Sequence, residues 1–298
     1  MEETRIDTAA HPPGAPPIFW RTVLARTGHG ERLTSAAAKA ADSKGFERAA
    51  RVGYVASGLL HLLIGVIALQ IASGGSGSAD SSGAVGALAG QPGGLALLWV
   101  CFLGCLTLAA FQLSRIWMDG RGLEGRELWT MRGSAAGQAI AYGAIGVSFA
   151  TFALGAGKDS SQSSATWSAK LMAQPSGVFL LGAVGLIIVG VGGYFVFKGA
   201  SRRFRKDLRA VPAGSWDRAV TVTGTVGFIA KGISLAILGI VVVTAAVTAD
   251  PERSTGLDGA LHTLREQPFG WLALGVVGVG LICYGLYTGI LRARFAKL

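Results

Sequence analysis

Apolar and polar residues fall in long blocks along this chain. Stretches at roughly 52–72, 94–114, 137–156, 177–198, 226–248 and 270–291 are almost wholly apolar, and polar, Gly- and Pro-containing connections separate them. Each is about 20 residues long, the length a helix needs to cross a hydrocarbon layer of ~30 Å. Strands of a membrane barrel would be shorter and would alternate with period two. The pattern therefore predicts an all-α integral membrane protein with six transmembrane helices. The fifth stretch is the least regular, because Lys231 interrupts its first third.

Between paired stretches one phrase recurs. It reads Leu88-Ala-Gly-Gln91-Pro92-Gly-Gly94, Leu171-Met-Ala-Gln174-Pro175-Ser-Gly177 and Leu264-Arg-Glu-Gln267-Pro268-Phe-Gly270, at steps of 83 and 93 residues. The stretches before it, 84–90, 166–173 and 257–266, are expected as short helices at the outer surface. The proline is placed at the first turn of the returning helix, which tolerates it. The glutamine is expected to help satisfy free N–H groups at that helix start, and the glycine to let the helix pack closely. The motif is read as structural punctuation rather than as a ligand site.

The motif sets a register. Seventeen residues after its glycine stand Phe111, Tyr194 and Tyr287, expected as interface-belt aromatics. In the odd-numbered stretches, Gly53-Tyr54-x-Ala56-Ser57-Gly58 with Gly65 matches Gly227-Phe228-x-Ala230-Lys231-Gly232 with Gly239. The middle copy is reduced to Gly137-Gln138-Ala139 with Gly146. Three two-helix hairpins of one orientation, related by a pseudo-threefold axis along the membrane normal, follow from this. The expected division is a mostly disordered tail over 1–46, then repeats at 47–118, 132–205 and 217–294. Residues 34–51 are read as a candidate surface helix.

G-[YF]-x-A-x-G in the odd helices, the Pro-Gly start of the even ones and the triple hairpin together resemble the actinobacterial membrane family catalogued as domain of unknown function twelve-zero-six. The resemblance covers about residues 47–294. It implies a fold and no activity. It also implies an arginine just before the second glycine of each odd helix, where this chain has Ser57, Gln138 and Lys231.

Composition adds orientation. Only 15% of residues are charged and 51% are hydrophobic, with a mean hydropathy of +0.49, against about 25% charged in a soluble domain. Of 27 Lys and Arg, 22 fall in the first tail, the loops after helices 2 and 4 and the C-terminal end; four fall in the other loops; one is Lys231. Positive residues mark the cytoplasmic side, so both termini are expected inside a bacterial cytoplasmic membrane. Arg202, Arg203, Arg205 and Lys206 are the expected anchors for anionic headgroups. No basic stretch is interleaved with stacking aromatics, which argues against nucleic acid.

Candidate chemistry is sparse. Lys231, Gln138 and Ser57 share one register position. Either they line a polar cavity that attracts an anionic ligand, or Lys231 snorkels to the interface, which is the plainer expectation. His61 is the only histidine in a span, and its register equivalents are Tyr142 and Leu235. A hydrogen-bonded packing role is expected for it. No Asp or Glu lies in a span, which argues against proton or sodium coupling. Cys101, Cys105 and Cys283 form no metal pattern. No catalytic constellation, metal or cofactor is expected. The glycines of helices 4 and 6 suit tight packing, with a homo-oligomer or membrane-protein partner as further options. The expectation is a structural or accessory envelope protein that binds lipid or a membrane partner. The alternative is a small uncoupled channel or carrier for an anionic or polar solute along the axis.

Overall fold

The structure is a computed structural model, and it describes residues 44–118, 125–157, 159–174, 176–250 and 256–296. The expected tail up to residue 43 lies outside these. The helices in chain order are α1 (Lys44–Ala72), α2 (Ser81–Ala89), α3 (Gly94–Met118), α4 (Gly125–Ala153), α5 (Ser160–Met172), α6 (Gly177–Ala200), α7 (Ser215–Thr248), α8 (Gly256–Glu266) and α9 (Gly270–Leu286). A π-helical turn (Tyr287–Arg292) and a final turn α10 (Ala293–Phe295) continue α9. A 3₁₀ turn (Arg203–Asp207) follows α6.

Six of these are long and apolar enough to cross a membrane: α1, α3, α4, α6, α7 and α9 with its continuation. Their outward faces carry exposed large apolar side chains such as Leu103, Ile140, Leu186 and Val276. This is a multi-pass membrane protein. Residues 44–51, expected within a separate surface helix, instead form the first turns of α1. The remainder of that expected helix, 34–43, lies outside the described residues.

The short helices α2, α5 and α8 occupy one end of the bundle, here the motif end. The other is the basic end. At the motif end the repeated phrase has a specific backbone geometry. The Gln N–H donates to the Leu carbonyl in each copy, at 3.2, 3.0 and 3.2 Å, ending the short helix. The motif glycine N–H then donates to the Gln carbonyl, at 2.8, 2.9 and 2.7 Å, closing a four-residue β-turn. Pro92 and Pro268 therefore sit in the turn before the helix and not in its first turn; Pro175 lies outside the described residues. Gln91, Gln174 and Gln267 act through their main-chain carbonyls. The motif glycine is needed for a different reason from the expected one. A Cβ at Gly94, Gly177 or Gly270 would collide with the carbonyl oxygen of Leu88, Leu171 or Leu264 of the same phrase. The first and last residues of L-x-x-Q-P-x-G thus touch.

Helix packing follows the register. Each even helix packs against the odd helix of the next repeat: α3 on α4, α6 on α7, and α9 on α1, closing last repeat onto first. Two of these interfaces are glycine on glycine. A Cβ at Gly58 would lie 2.7 Å from Gly285 O, and one at Gly65 2.7 Å from Gly278 O. The same pair of crossings recurs as Gly232 with Gly192 O at 2.6 Å and Gly239 with Gly185 O at 2.7 Å. Backbones at that distance leave no room for a side chain. Within repeats, α1 packs on α3 and α7 on α9. Among the described residues, α4 and α6 make no such contact. The order around the bundle is α4, α3, α1, α9, α7, α6, an incomplete ring opened at one seam.

At the basic end, Phe204 and Tyr287 pack with Phe228, with ring centroids 5.3 to 5.5 Å apart. Tyr287 is 1% exposed, so it is a core residue and not the belt aromatic its register suggested. Tyr194 at the same register position is 49% exposed.

Candidate functional site

A cavity of about 690 Å³ runs inside the ring. Its walls repeat the register. Ser57, Gln138 and Lys231 all line it; so do Leu60, Ala141 and Ser234 three residues on, and His61, Tyr142 and Leu235 one residue further. One stripe from each odd helix therefore faces a common space, as expected for three repeats around an axis. The remaining wall comes from α6, from α9 and its π-helical continuation, through residues that include Val191, Tyr194, Tyr284 and Arg292, and from Ser81 of α2 and Leu257 of α8 at the motif end. Most of the lining is apolar.

The polar groups gather in two clusters. In the first, the Lys231 ammonium donates to His61 Nε2 at 3.1 Å and to Tyr284 Oη at 3.2 Å. It also stands over the rings of Tyr284 and Phe195, at 4.3 and 5.2 Å from their centroids. Lys231 thus ends among its neighbours in the cavity, not in an extended snorkelling conformation. His61 Nδ1 lies 2.7 Å from the Ser57 carbonyl oxygen. A carbonyl only accepts, so Nδ1 carries the proton and Nε2 is free to accept from Lys231. Two of the three ammonium protons are used; among the described residues the third has no acceptor.

In the second cluster, Gln138 Oε1 accepts from Gln112 Nε2 at 2.6 Å and from Arg292 Nη2 at 3.0 Å. The Arg292 guanidinium lies 4.7 Å from the Tyr54 ring centroid, and its Nη1 is 3.5 Å from Tyr142 Oη. Arg292 is 7% exposed, and its buried Nε has no hydrogen-bond partner. The π-helical turn that ends on Arg292 widens the helix where the side chain enters the bundle; such insertions recur at functional sites.

Charge balance is the distinctive property of the site. Ion pairs among the described residues include those of Arg51 and Arg209 with Glu47, Lys198 with Asp207, Arg205 with Asp217, and His262 with Asp258. None of these pairs includes Lys231 or Arg292. Two cations thus face an apolar cavity without a carboxylate partner, an arrangement that costs several kcal/mol per ion unless something compensates it.

The other expected residues lie apart from this site. Arg202 and Arg203 are exposed at the basic end, with Arg203 over the Phe197 ring at 4.7 Å. Lys206 is exposed there too. Arg205 is occupied by Asp217 and Thr221. The repeated motif residues sit at the motif end. There Ala79 N–H donates to Asp258 Oδ1 at 2.7 Å, and Ser160 N–H to Ser82 Oγ at 3.1 Å, tying the three loops together.

Sequence reasoning missed Arg292, Tyr284 and Gln112. Arg292 closes the last apolar stretch, where it counts as an ordinary flanking charge. A signal was nevertheless present: Tyr284, Thr288 and Arg292 recur at steps of four, a polar-tipped stripe on an otherwise apolar helix.

Fold and site define a six-span membrane protein of three hairpin repeats around an axial cavity lined by two cations, neither in an ion pair with a described carboxylate. Comparison with known proteins gives the same repeat. The family described as Domain of Unknown Function (DUF1206) matches at residues 52–119, 133–202 and 226–296, and the chain belongs to this family. It is also similar to "Uncharacterized protein YxxB" of Bacillus subtilis (strain 168), 34% identical over 251 residues, covering 81% of this chain and 88% of the relative. That relative is a Bacillus protein and gives no support to an actinobacterial label. No solved structure matches.

Proposed function

We propose that this protein is an accessory protein of the bacterial cytoplasmic membrane that holds an anionic lipid, its headgroup between Lys231 and Arg292 in the axial cavity. Both termini then lie in the cytoplasm, in keeping with 22 of the 27 basic residues on that side. The reading rests on one observation: two cations within an apolar cavity lack any carboxylate partner among the described residues. An anion about 4 Å from either would gain about 4 kcal/mol at the effective dielectric of a protein edge, before its own desolvation is subtracted. The third Lys231 proton and the Arg292 Nε–H are the donors left for it.

The mostly apolar wall suits an amphiphile better than a hydrated solute. A channel or carrier along the axis is less well supported, because the bonds from Ala79 to Asp258 and from Ser160 to Ser82 cross the motif end.

The test is native mass spectrometry of the full chain, purified in uncharged detergent from a bacterial membrane. Wild type is expected to retain an anionic phospholipid, and Lys231→Gln with Arg292→Gln to lose it. Equal retention by the double variant, or no anionic lipid on wild type, would overturn the reading.

A further inference from the structure

We infer that the seam between α4 and α6 is a lateral portal through which a lipid of the basic-end leaflet passes its headgroup into the cavity, leaving its hydrocarbon in the seam. The inference rests on the functional reading above and adds the route and the part of the ligand that stays outside.

At the seam the within-repeat packing of the other two hairpins is missing. Within-repeat helices pack together in the first and third repeats, α1 on α3 and α7 on α9, yet α4 and α6 of the second do not. The glycines there are also used differently. In the closed interfaces a Cβ at Gly58, Gly232 or Gly239 would strike a neighbouring backbone. At Gly133 and Gly137 on α4 it would meet nothing within 4 Å. Gly133 and Gly137 line the cavity, so they hold a gap open instead of holding two helices together.

The gap leads to charge. Gln138, next to Gly137, hydrogen-bonds Arg292, whose buried Nε is unpartnered. The mouth is flanked by Trp129, 70% exposed, and Tyr194, 49% exposed, amphipathic rings of the kind that sit at headgroup level. A cavity that opens sideways between two spans is entered from the bilayer. A lipid can bring a phosphate to buried cations by that route without carrying it through the capped motif end.

The experiment follows exchange. The full chain is reconstituted in phosphatidylcholine vesicles containing deuterated phosphatidylglycerol, and replacement of retained phosphatidylglycerol is timed by native mass spectrometry. Gly137→Trp and, separately, Val191→Trp place a ring in the seam; Gly275→Ala on α9, which faces open space away from the cavity lining, is the control, and thermal unfolding reports the fold. Each Trp variant that unfolds like wild type is expected to slow exchange about tenfold or more, which is about 1.4 kcal/mol of added barrier, with Gly275→Ala unchanged. If both Trp variants disrupt the fold, Gly137→Leu and Val191→Phe replace them, with slowed exchange supporting the portal and wild-type exchange overturning it. Wild-type exchange rates in folded Trp variants that still hold phosphatidylglycerol would overturn the portal and leave the functional reading standing. Absence of phosphatidylglycerol from wild type would overturn both. A wild-type dimer converted to monomer by Gly137→Trp would make the seam an interface between copies and overturn the portal.

Discussion

Lys231 Nζ stands 3.1 Å from His61 Nε2, a polar contact made across the cavity by two odd helices, α7 and α1, that are not among the closely packed pairs of the described residues. The contact joins the third repeat to the first at the register position where the three copies differ. It gives the lysine a neutral acceptor and no counter-charge.

A charge held this way is a burden to the empty protein. Lys231→Met should raise the thermal stability of lipid-free protein in uncharged detergent, by about 1 kcal/mol or more, because an apolar side chain replaces a desolvated ion. It should also remove most of the stabilisation that added phosphatidylglycerol gives wild type. Thermal unfolding with and without the lipid measures both. A lipid-free protein that melts lower than wild type would show the charge to be structural.

Glycine at the crossings is a packing requirement of the closed interfaces. Gly232→Val would drive two methyl groups toward Gly192 O and Val196 N, each 2.6 Å from the Cβ position, and overpacking of this kind costs about 1–3 kcal/mol. Gly190→Ala, on the same α6 but facing open space, should unfold like wild type. Comparing their melting temperatures separates close packing from a general need for glycine.

The repeated turn makes opposite predictions for two adjacent kinds of position. Gly177→Ala sets a methyl against Leu171 O and should destabilise the hairpin. Phe269 adopts φ +60° at the third position of the third copy, where the first copy has Gly93 at φ +77°. Phe269→Gly should therefore stabilise, by about 1 kcal/mol, since a left-handed residue with a Cβ costs roughly that much. Denaturation of the two single variants checks the signs.

The loop cap should respond to pH through Asp258. Burial pushes its carboxyl above the usual range, against the opposing pull of the Ala79 N–H and His262; Asp80 and Asp159 nearby push it further up. A carboxyl raised in the folded state binds its proton more tightly there than in the unfolded chain. Folding is thus penalised at neutral pH, and the penalty is relieved as pH falls through the raised value toward the ordinary one of about 3.9. Relative to Asp258→Asn, which keeps an acceptor for Ala79 N–H, wild type should gain stability as pH is lowered from 7 to about 4. Melting temperatures of the pair across that window measure the difference.

Much of the architecture was legible because lipid imposes length and apolarity on every span, and because a repeated phrase fixes register. That register predicted that Ser57, Gln138 and Lys231 share a position, and all three line the cavity. What was not legible depends on which helices touch. Consecutive helices invite a hairpin reading, yet α4 and α6 stay apart while the last repeat packs on the first. Arg292 was hidden for a related reason. At the end of an apolar run a cation reads as a flank, and only the π-helical turn with Gln138 opposite brings it indoors. The motif glycine was assigned to helix packing because a contact between residues 1 and 7 of one phrase has no signature in sequence.

The most direct measurement is an experimental structure of the full chain in a bilayer containing phosphatidylglycerol. The expected result is elongated density in the axial cavity, its head within hydrogen-bonding distance of Lys231 Nζ and Arg292 Nε and its tail leaving between α4 and α6. A closed seam over an empty or water-filled cavity, with both cations still unpaired, would contradict it.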